Sequence, residues 1–129
     1  MNYVGGYGLG LDLTDRKMQK ELKSNKLPLL LSKNFRISAI VSDFTHWNDS
    51  KWNNIFWLEK NQVRVQEGKM SNMIFSVENL IEFLSHRIPL MAGDILFTGT
   101  PEGVGPIEKG DELKIGLGDN ILKVIKIKY

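Results

Sequence analysis

The feature that most constrains this chain is a glycine-rich run near its start that ends in an acidic residue. Glycines alternate with larger residues between positions 6 and 10, and Asp12 closes the run. Glycine at alternate strand positions is typical of a close approach by another backbone or a ligand. No Gly-x-Gly-x-x-Gly motif can be assembled from these residues, so a dinucleotide-binding loop is not indicated. The sequence predicts a strand that ends at Asp12, with a helix close behind it.

Capping and turn residues predict the other elements. Thr14 is expected to cap a short helix that runs to about Lys23, and Ser76 is expected to cap a second helix. Asn61, which tolerates a positive φ, predicts a hairpin turn. An apolar segment at 95–98 is expected to form a strand before a loop rich in threonine, glycine and proline. Two helices among many short strands indicate an α+β fold that is mostly β.

Composition excludes several classes of function. The 129 residues suit one domain, here taken as 1–129. Seventeen basic and fifteen acidic residues give a net charge of +2, so no nucleic-acid partner is expected. The chain has no cysteine, which excludes disulfides and thiolate chemistry. We find no apolar run of membrane-spanning length and no targeting segment, so we expect no membrane partner and a cytoplasmic or mitochondrial location.

Two places could carry chemistry. Asp12, at the end of a strand, could bind Mg²⁺ or Mn²⁺, which prefer oxygen ligands, although an isolated aspartate at that position is more often part of a turn. The loop around Thr100 could hold a carboxylate or phosphate through hydroxyl and backbone N–H groups, or could be a tight connection. Lys33 and Arg16 are candidate anion ligands, although single basic residues are usually just solvated.

Several blocks together resemble the fumarylacetoacetate hydrolase family, and most closely its small acylpyruvase and oxaloacetate decarboxylase branch. The last two blocks are specific to that family, and their order makes chance agreement improbable. The resemblance covers essentially all of this chain, but only the C-terminal part of the family's catalytic domain. The blocks are Gly6-Tyr7-Gly8-Leu9-Gly10-Leu11-Asp12 with Arg16-Lys17-Met18-Gln19, Lys33, Gln66-Glu67-Gly68 with Ser71-Asn72-Met73-Ile74-Phe75, and Gly93-Asp94-Ile95-Leu96-Phe97-Thr98-Gly99-Thr100-Pro101-Glu102-Gly103.

The resemblance implies a fold, a cofactor and a reaction. The fold is a mixed β-roll or sandwich with short helices, usually in a homodimer. The cofactor is Mg²⁺ or Mn²⁺, and Asp12 matches the aspartate among its three carboxylate ligands. The reaction is cleavage of a carbon–carbon bond in a β-keto or diketo acid. Lys33 and Gln19 match catalytic residues beside the metal, and Arg16, Gly99 and Thr100 are the expected substrate-binding residues.

Two departures from the family pattern leave a second interpretation open. The two glutamate ligands and the His/Glu pair that activates water belong to a segment of the family that this chain does not contain. The family's Arg-Asp pair appears here as Arg16-Lys17. The resemblance as a whole implies that the chain is part of a metal-dependent acylpyruvate hydrolase or oxaloacetate decarboxylase. The alternative is an inactive or incomplete domain that acts as a dimerisation or ligand-binding module.

Overall fold

A computed structural model describes residues 3–47 and 54–128 of the chain. This part contains two α-helices and eight strands, most of them short, which confirms the mostly-β α+β class. In chain order the elements are β1 (Gly6–Tyr7), β2 (Gly10–Asp12), α1 (Arg16–Ser24), β3 (Ala39–Val41), β4 (Thr45–His46), β5 (Phe56–Lys60), β6 (Val63–Gly68), α2 (Val77–Ser85), β7 (Glu112–Leu117) and β8 (Asn120–Lys126). Among the residues described, neither helix is long enough and apolar enough to cross a membrane.

The chain divides into two compact units. One unit is Gly10–Ser42, and the other consists of Met1–Leu9 together with Asp43–Tyr129. The prediction of one domain over 1–129 is not tested by this division and stays a prediction.

The Gly10–Ser42 unit is built on β2 and β3, which pair antiparallel. Directly after the paired residues, Leu13 N–H donates to Ser38 O at 2.7 Å. Asp12 ends β2 and α1 begins at Arg16, as the sequence predicted. The helix cap differs from the prediction: the Asp15 carboxylate, not Thr14, accepts from Met18 N–H at 2.9 Å. The Asp15 backbone N–H also donates to Ser32 O at 3.0 Å, which fixes Asp15 as the cap.

The larger unit is organised by a four-stranded antiparallel sheet in the order β6-β5-β7-β8. Leu113, Ile115 and Leu117 alternate along β7 and are buried on one face of the sheet. On β5, the buried Trp57 pairs with Gly116, where a Cβ atom would overlap the indole ring. The core of this unit therefore lies on its two central strands.

The expected hairpin between β5 and β6 is present. Asn61 and Gln62 both have positive φ, at 51° and 69°, as a two-residue type I′ turn requires. The Asn61 side chain donates to Asp111 Oδ1 at 2.8 Å, and Asn61 Oδ1 accepts from Glu112 N–H at 2.9 Å. These contacts join the turn to the start of β7. Gln62 therefore adopts a positive φ although glutamine has little intrinsic preference for that conformation.

The second helix follows the prediction and one predicted strand does not. Ser76 caps α2 by accepting from Asn79 N–H at 3.2 Å. The apolar segment 95–98 was expected to be a strand, and that expectation is wrong, because the segment has no regular structure. No strand in residues 3–47 and 54–128 pairs with this segment. Apolar side chains alone do not make a strand, because a strand also needs hydrogen bonds to a neighbouring strand.

Candidate functional site

The predicted metal ligand and the predicted catalytic lysine lie together. Asp12 ends β2, and Lys33 follows a short 3-10 turn, Leu30–Ser32, 21 residues later in the chain. Lys33 Nζ lies 2.6 Å from Asp12 Oδ2. The two side chains are 38% and 49% exposed, so the pair stays accessible to a ligand. An exposed ion pair of this kind contributes only about 0–1 kcal/mol to the stability of the fold. The pair is therefore not needed chiefly for folding.

The buried Ser32 explains how Lys33 is placed beside Asp12. Ser32 is fully buried, and its hydroxyl donates to Leu29 O at 2.6 Å within the turn. Its carbonyl accepts from Asp15 N–H at 3.0 Å, which joins the turn to the start of α1. The turn before Lys33 and the loop after Asp12 are therefore connected by backbone contacts.

Arg16 and Gln19 form a second pair in the first turns of α1. Arg16 Nη1 donates to Gln19 Oε1 at 2.8 Å. Gln19 thus takes the place of the acidic partner that the Arg16-Lys17 sequence lacks. Because Gln19 Oε1 accepts this bond, the Gln19 amide keeps its N–H groups to donate, and the guanidinium of Arg16 keeps most of its five donors. Both side chains can bind an anion.

The third cluster lies around Thr100, in the loop of residues 99–106, here called the threonine loop. Gln66 on β6 donates to Thr100 Oγ1 at 2.9 Å and to Pro101 O at 3.0 Å. Gly99 has φ of 111°, a conformation that favours glycine. Thr100 is exposed. The loop therefore presents a hydroxyl on a backbone that is tied to the sheet.

Sequence reasoning did not single out Gln66 as a site residue. Its signal was present, because Gln66 opens the block Gln66-Glu67-Gly68 that contributes to the family resemblance. The hydrogen bonds that join it to residues 34 and 35 positions later are visible only in the fold.

A divalent cation fits the described residues only in part. Asp12 offers a carboxylate, the donor that Mg²⁺ and Mn²⁺ prefer, and Lys33 engages its Oδ2 atom. Within residues 3–47 and 54–128, no group of three His, Asp or Glu side chains could hold a metal ion. Asp12 can therefore act as one ligand, while the residues described do not complete a metal site.

Comparison with known proteins decides the family. The profile described as fumarylacetoacetate (FAA) hydrolase C-terminal matches residues 1–126. This chain belongs to the fumarylacetoacetate hydrolase family. The resemblance inferred from the sequence blocks is thereby confirmed.

Relatives in this family have named activities. The mitochondrial oxaloacetate tautomerase FAHD1 of Homo sapiens is 41% identical over 130 residues, with 99% of this chain and 59% of that protein covered. The mitochondrial oxaloacetate decarboxylase of Dictyostelium discoideum is 38% identical over 119 residues, which cover 91% of this chain and 55% of that protein. The chain thus spans less than two thirds of the length of these curated relatives.

One solved structure with a similar fold contains a metal ion and a keto acid. The fumarylpyruvate hydrolase from Pseudomonas aeruginosa, in complex with Mn²⁺ and pyruvate, has a TM-score of 0.88 and 29% identity. The match covers 98% of this chain and 55% of that one. This similar protein therefore binds a divalent metal and a small keto acid.

Proposed function

We propose that this chain is part of a metal-dependent enzyme that cleaves a carbon–carbon bond in a β-keto or diketo acid, of the acylpyruvate hydrolase or oxaloacetate decarboxylase type. The observation that carries the proposal is the Asp12–Lys33 pair, 2.6 Å apart and accessible. It lies in a chain 41% identical to an oxaloacetate tautomerase. Tautomerisation and decarboxylation of oxaloacetate, and hydrolysis of a fumarylpyruvate, all develop negative charge on the oxygen of a 2-keto acid. A lysine beside a carboxylate suits that chemistry.

Asp12 is proposed as one ligand of the cation, Mg²⁺ or Mn²⁺, with the other ligands supplied by protein outside this sequence. A cation bound there would polarise the oxygens of the 2-keto acid. Lys33, which now donates to Asp12, can donate instead to a substrate oxygen as negative charge develops on it.

The remaining site residues are proposed to bind and orient the substrate. Gln19 carries amide donors and Arg16 a guanidinium that can grip a carboxylate through two parallel hydrogen bonds. Gly99 and Thr100 are proposed to bind a carboxylate through a backbone N–H and a hydroxyl. Holding a carboxylate orients the substrate, and orientation of this kind can contribute several kcal/mol to catalysis.

The assembly and the compartment are also proposals. We propose a homodimer, because the larger unit exposes bulky apolar side chains such as Ile74 at 92% and Met91 at 73%. Of the two compartments expected, the curated relatives named as mitochondrial support the mitochondrion.

One observation favours the second candidate, an inactive or incomplete domain that serves as a dimerisation or ligand-binding module. The residues that the structure describes provide one carboxylate at the Asp12 site and no group of three metal-binding side chains. A site with one protein carboxylate would bind a cation weakly and leave the substrate poorly oriented.

Turnover in the natural protein that carries this chain separates the two candidates. Oxaloacetate and acetylpyruvate are assayed with and without Mn²⁺ or Mg²⁺ for the wild type, Asp12→Asn and the control Asp119→Asn, which lies in the exposed turn between β7 and β8. We expect metal-dependent turnover that falls about 100-fold or more in Asp12→Asn, since outer-shell partners alone are worth about 10–100-fold. The control should match the wild type. Turnover that is unchanged without the metal, or unchanged in Asp12→Asn, contradicts the enzyme proposal. A wild type that shows no turnover but dimerises supports the second candidate, a dimerisation module.

A further inference from the structure

A single side-chain amide holds three consecutive residues of the threonine loop. Gln66 Nε2 lies 2.9 Å from Thr100 Oγ1, 3.0 Å from Pro101 O and 3.3 Å from Glu102 O. Gln66 is paired in the β5–β6 register with Leu58, which is paired in turn with Ile115. Paired residues share a face of the sheet, so Gln66 reaches the loop from the face that carries the buried β7 side chains.

The chemistry of these partners fixes which end of the Gln66 amide faces the loop. The carbonyl oxygens of Pro101 and Glu102 can only accept hydrogen bonds. The group that faces them must therefore be the NH₂, whose two hydrogens are shared among three acceptors. An amide turned the other way would place an oxygen against two carbonyl oxygens.

This orientation decides what the Thr100 hydroxyl can do. A threonine hydroxyl has one hydrogen to donate and two lone pairs to accept with. Because the Gln66 NH₂ can only donate, the Thr100 oxygen accepts from it and keeps its own hydrogen for another partner. A carboxylate is an acceptor, so a hydroxyl that is held as a donor is suited to binding one.

We propose that Gln66 is a positioning residue, which clamps the threonine loop and commits the Thr100 hydroxyl to donate its hydrogen to a carboxylate of the substrate. This inference rests on the proposed function, in which Thr100 binds the keto acid. Gln66 itself does not touch the substrate and acts through Thr100.

Two further contacts hold the threonine loop without Gln66. Gly103 lies so close to β6 that a Cβ atom there would overlap the carbonyl oxygen of Val65. Lys60 Nζ donates to Pro106 O at 2.9 Å. A variant that loses the Gln66 amide should therefore keep the loop near β6, and its defect should concern the order of the loop and the direction of the Thr100 hydroxyl.

A double-mutant cycle in the natural protein tests the inference. Steady-state kinetics with oxaloacetate and Mn²⁺ are measured for Gln66→Met, Thr100→Val and the double variant. The control is Gln62→Met, the same exchange in the exposed hairpin turn. We expect each single variant to raise KM about tenfold with kcat little changed, in line with the loss of a hydrogen bond to a charged group. The double variant should be no worse than Thr100→Val alone, because Gln66 acts through Thr100. Gln62→Met should behave as the wild type.

Limited proteolysis provides a readout that needs no turnover. The threonine loop should be cut faster in Gln66→Met than in Gln62→Met, while the strands of the sheet stay uncut. If Gln66→Met does not fold, Gln66→Glu takes its place, since it keeps the size and loses the NH₂ donors. It should raise KM at least as much as Thr100→Val.

The outcomes separate this inference from the proposed function. The inference is overturned if Gln66→Met leaves KM unchanged while Thr100→Val raises it, or if the two effects multiply in the double variant. Neither result affects the metal-dependent reaction. A wild type that shows no metal-dependent turnover contradicts the proposed function, and with it the substrate-binding part of this inference.

Discussion

Replacing Gly103 by alanine should detach the threonine loop from the sheet. Gly103 has φ of 94°, in the region that favours glycine, and a Cβ atom there would overlap the carbonyl oxygen of Val65. The backbone conformation alone costs an L-residue about 1–2 kcal/mol. The overlap must then be relieved by moving the loop away from β6, which strains or breaks the bonds from Gln66, each worth about 1 kcal/mol. The backbone cost and the loss of one such bond together give a loss of about 2–3 kcal/mol.

Two other glycines of the loop separate the contributions. Gly99 has φ of 111° and open space around its Cβ position, so Gly99→Ala should cost only the conformational part, about 1–2 kcal/mol. Gly105 does not have a positive φ, and a Cβ atom there would have no other atom within 4 Å. Gly105→Ala should be neutral or stabilise by up to about 1 kcal/mol, because alanine lowers the entropy of the unfolded chain.

Urea denaturation measures this series. With an m-value of about 2–3 kcal/mol/M, the midpoint for Gly103→Ala should fall by roughly 1 M, and that for Gly105→Ala should not fall. Limited proteolysis should cut the loop faster in Gly103→Ala than in Gly105→Ala. Equal midpoints for Gly103→Ala and Gly105→Ala would refute the close packing of the loop on β6.

Two more predictions concern stability and assembly. Hydrogen bonds from the Lys60 ammonium, the Glu108 backbone N–H and the Asn61 amide lower the pKa of Asp111 from 3.8 to about 2. The ionised carboxylate therefore stabilises the fold above about pH 4, and this stabilisation is lost as the pH falls towards 2, so thermal denaturation should show a steeper loss between pH 4 and 2 for the wild type than for Asp111→Asn. The chain of 129 residues by itself should self-associate through its exposed apolar side chains, and Ile74→Ser should weaken that association. Analytical ultracentrifugation checks the second prediction, which a monomer at all concentrations would contradict.

Local signals were enough to predict several elements from the sequence. Ser76 caps α2, Asn61 lies in the hairpin turn, and Asp12 ends a strand just before a helix. Each of these depends on residues within a few positions of one another, where side-chain capping and backbone preference decide the conformation.

Long-range contacts explain where the sequence was insufficient. Thr14 and Asp15 are both suitable caps, and the bond from Asp15 N–H to Ser32 O, which fixes the choice, spans half of the smaller unit. The apolar segment 95–98 has a strand-like composition, but a strand also needs a partner. No partner for it occurs in the described parts of the chain.

The candidate site shows the same division. The sequence blocks indicated Asp12, Lys33, Gln19 and Thr100 through the family they resemble. The 2.6 Å contact of Asp12 with Lys33 required the turn and the helix start to meet, and no spacing rule predicts it. Gln66 was overlooked because its partners follow 34 to 36 residues later.

The most direct test of the central claim is a crystal of the natural protein that carries this chain, soaked with Mn²⁺ and oxalate, an analogue of the keto acid. Anomalous scattering from manganese locates the cation. Our account predicts a manganese peak bound to the Asp12 carboxylate, with oxalate within hydrogen-bond distance of Lys33 Nζ. Manganese bound elsewhere, with Lys33 still paired to an unliganded Asp12, would contradict it.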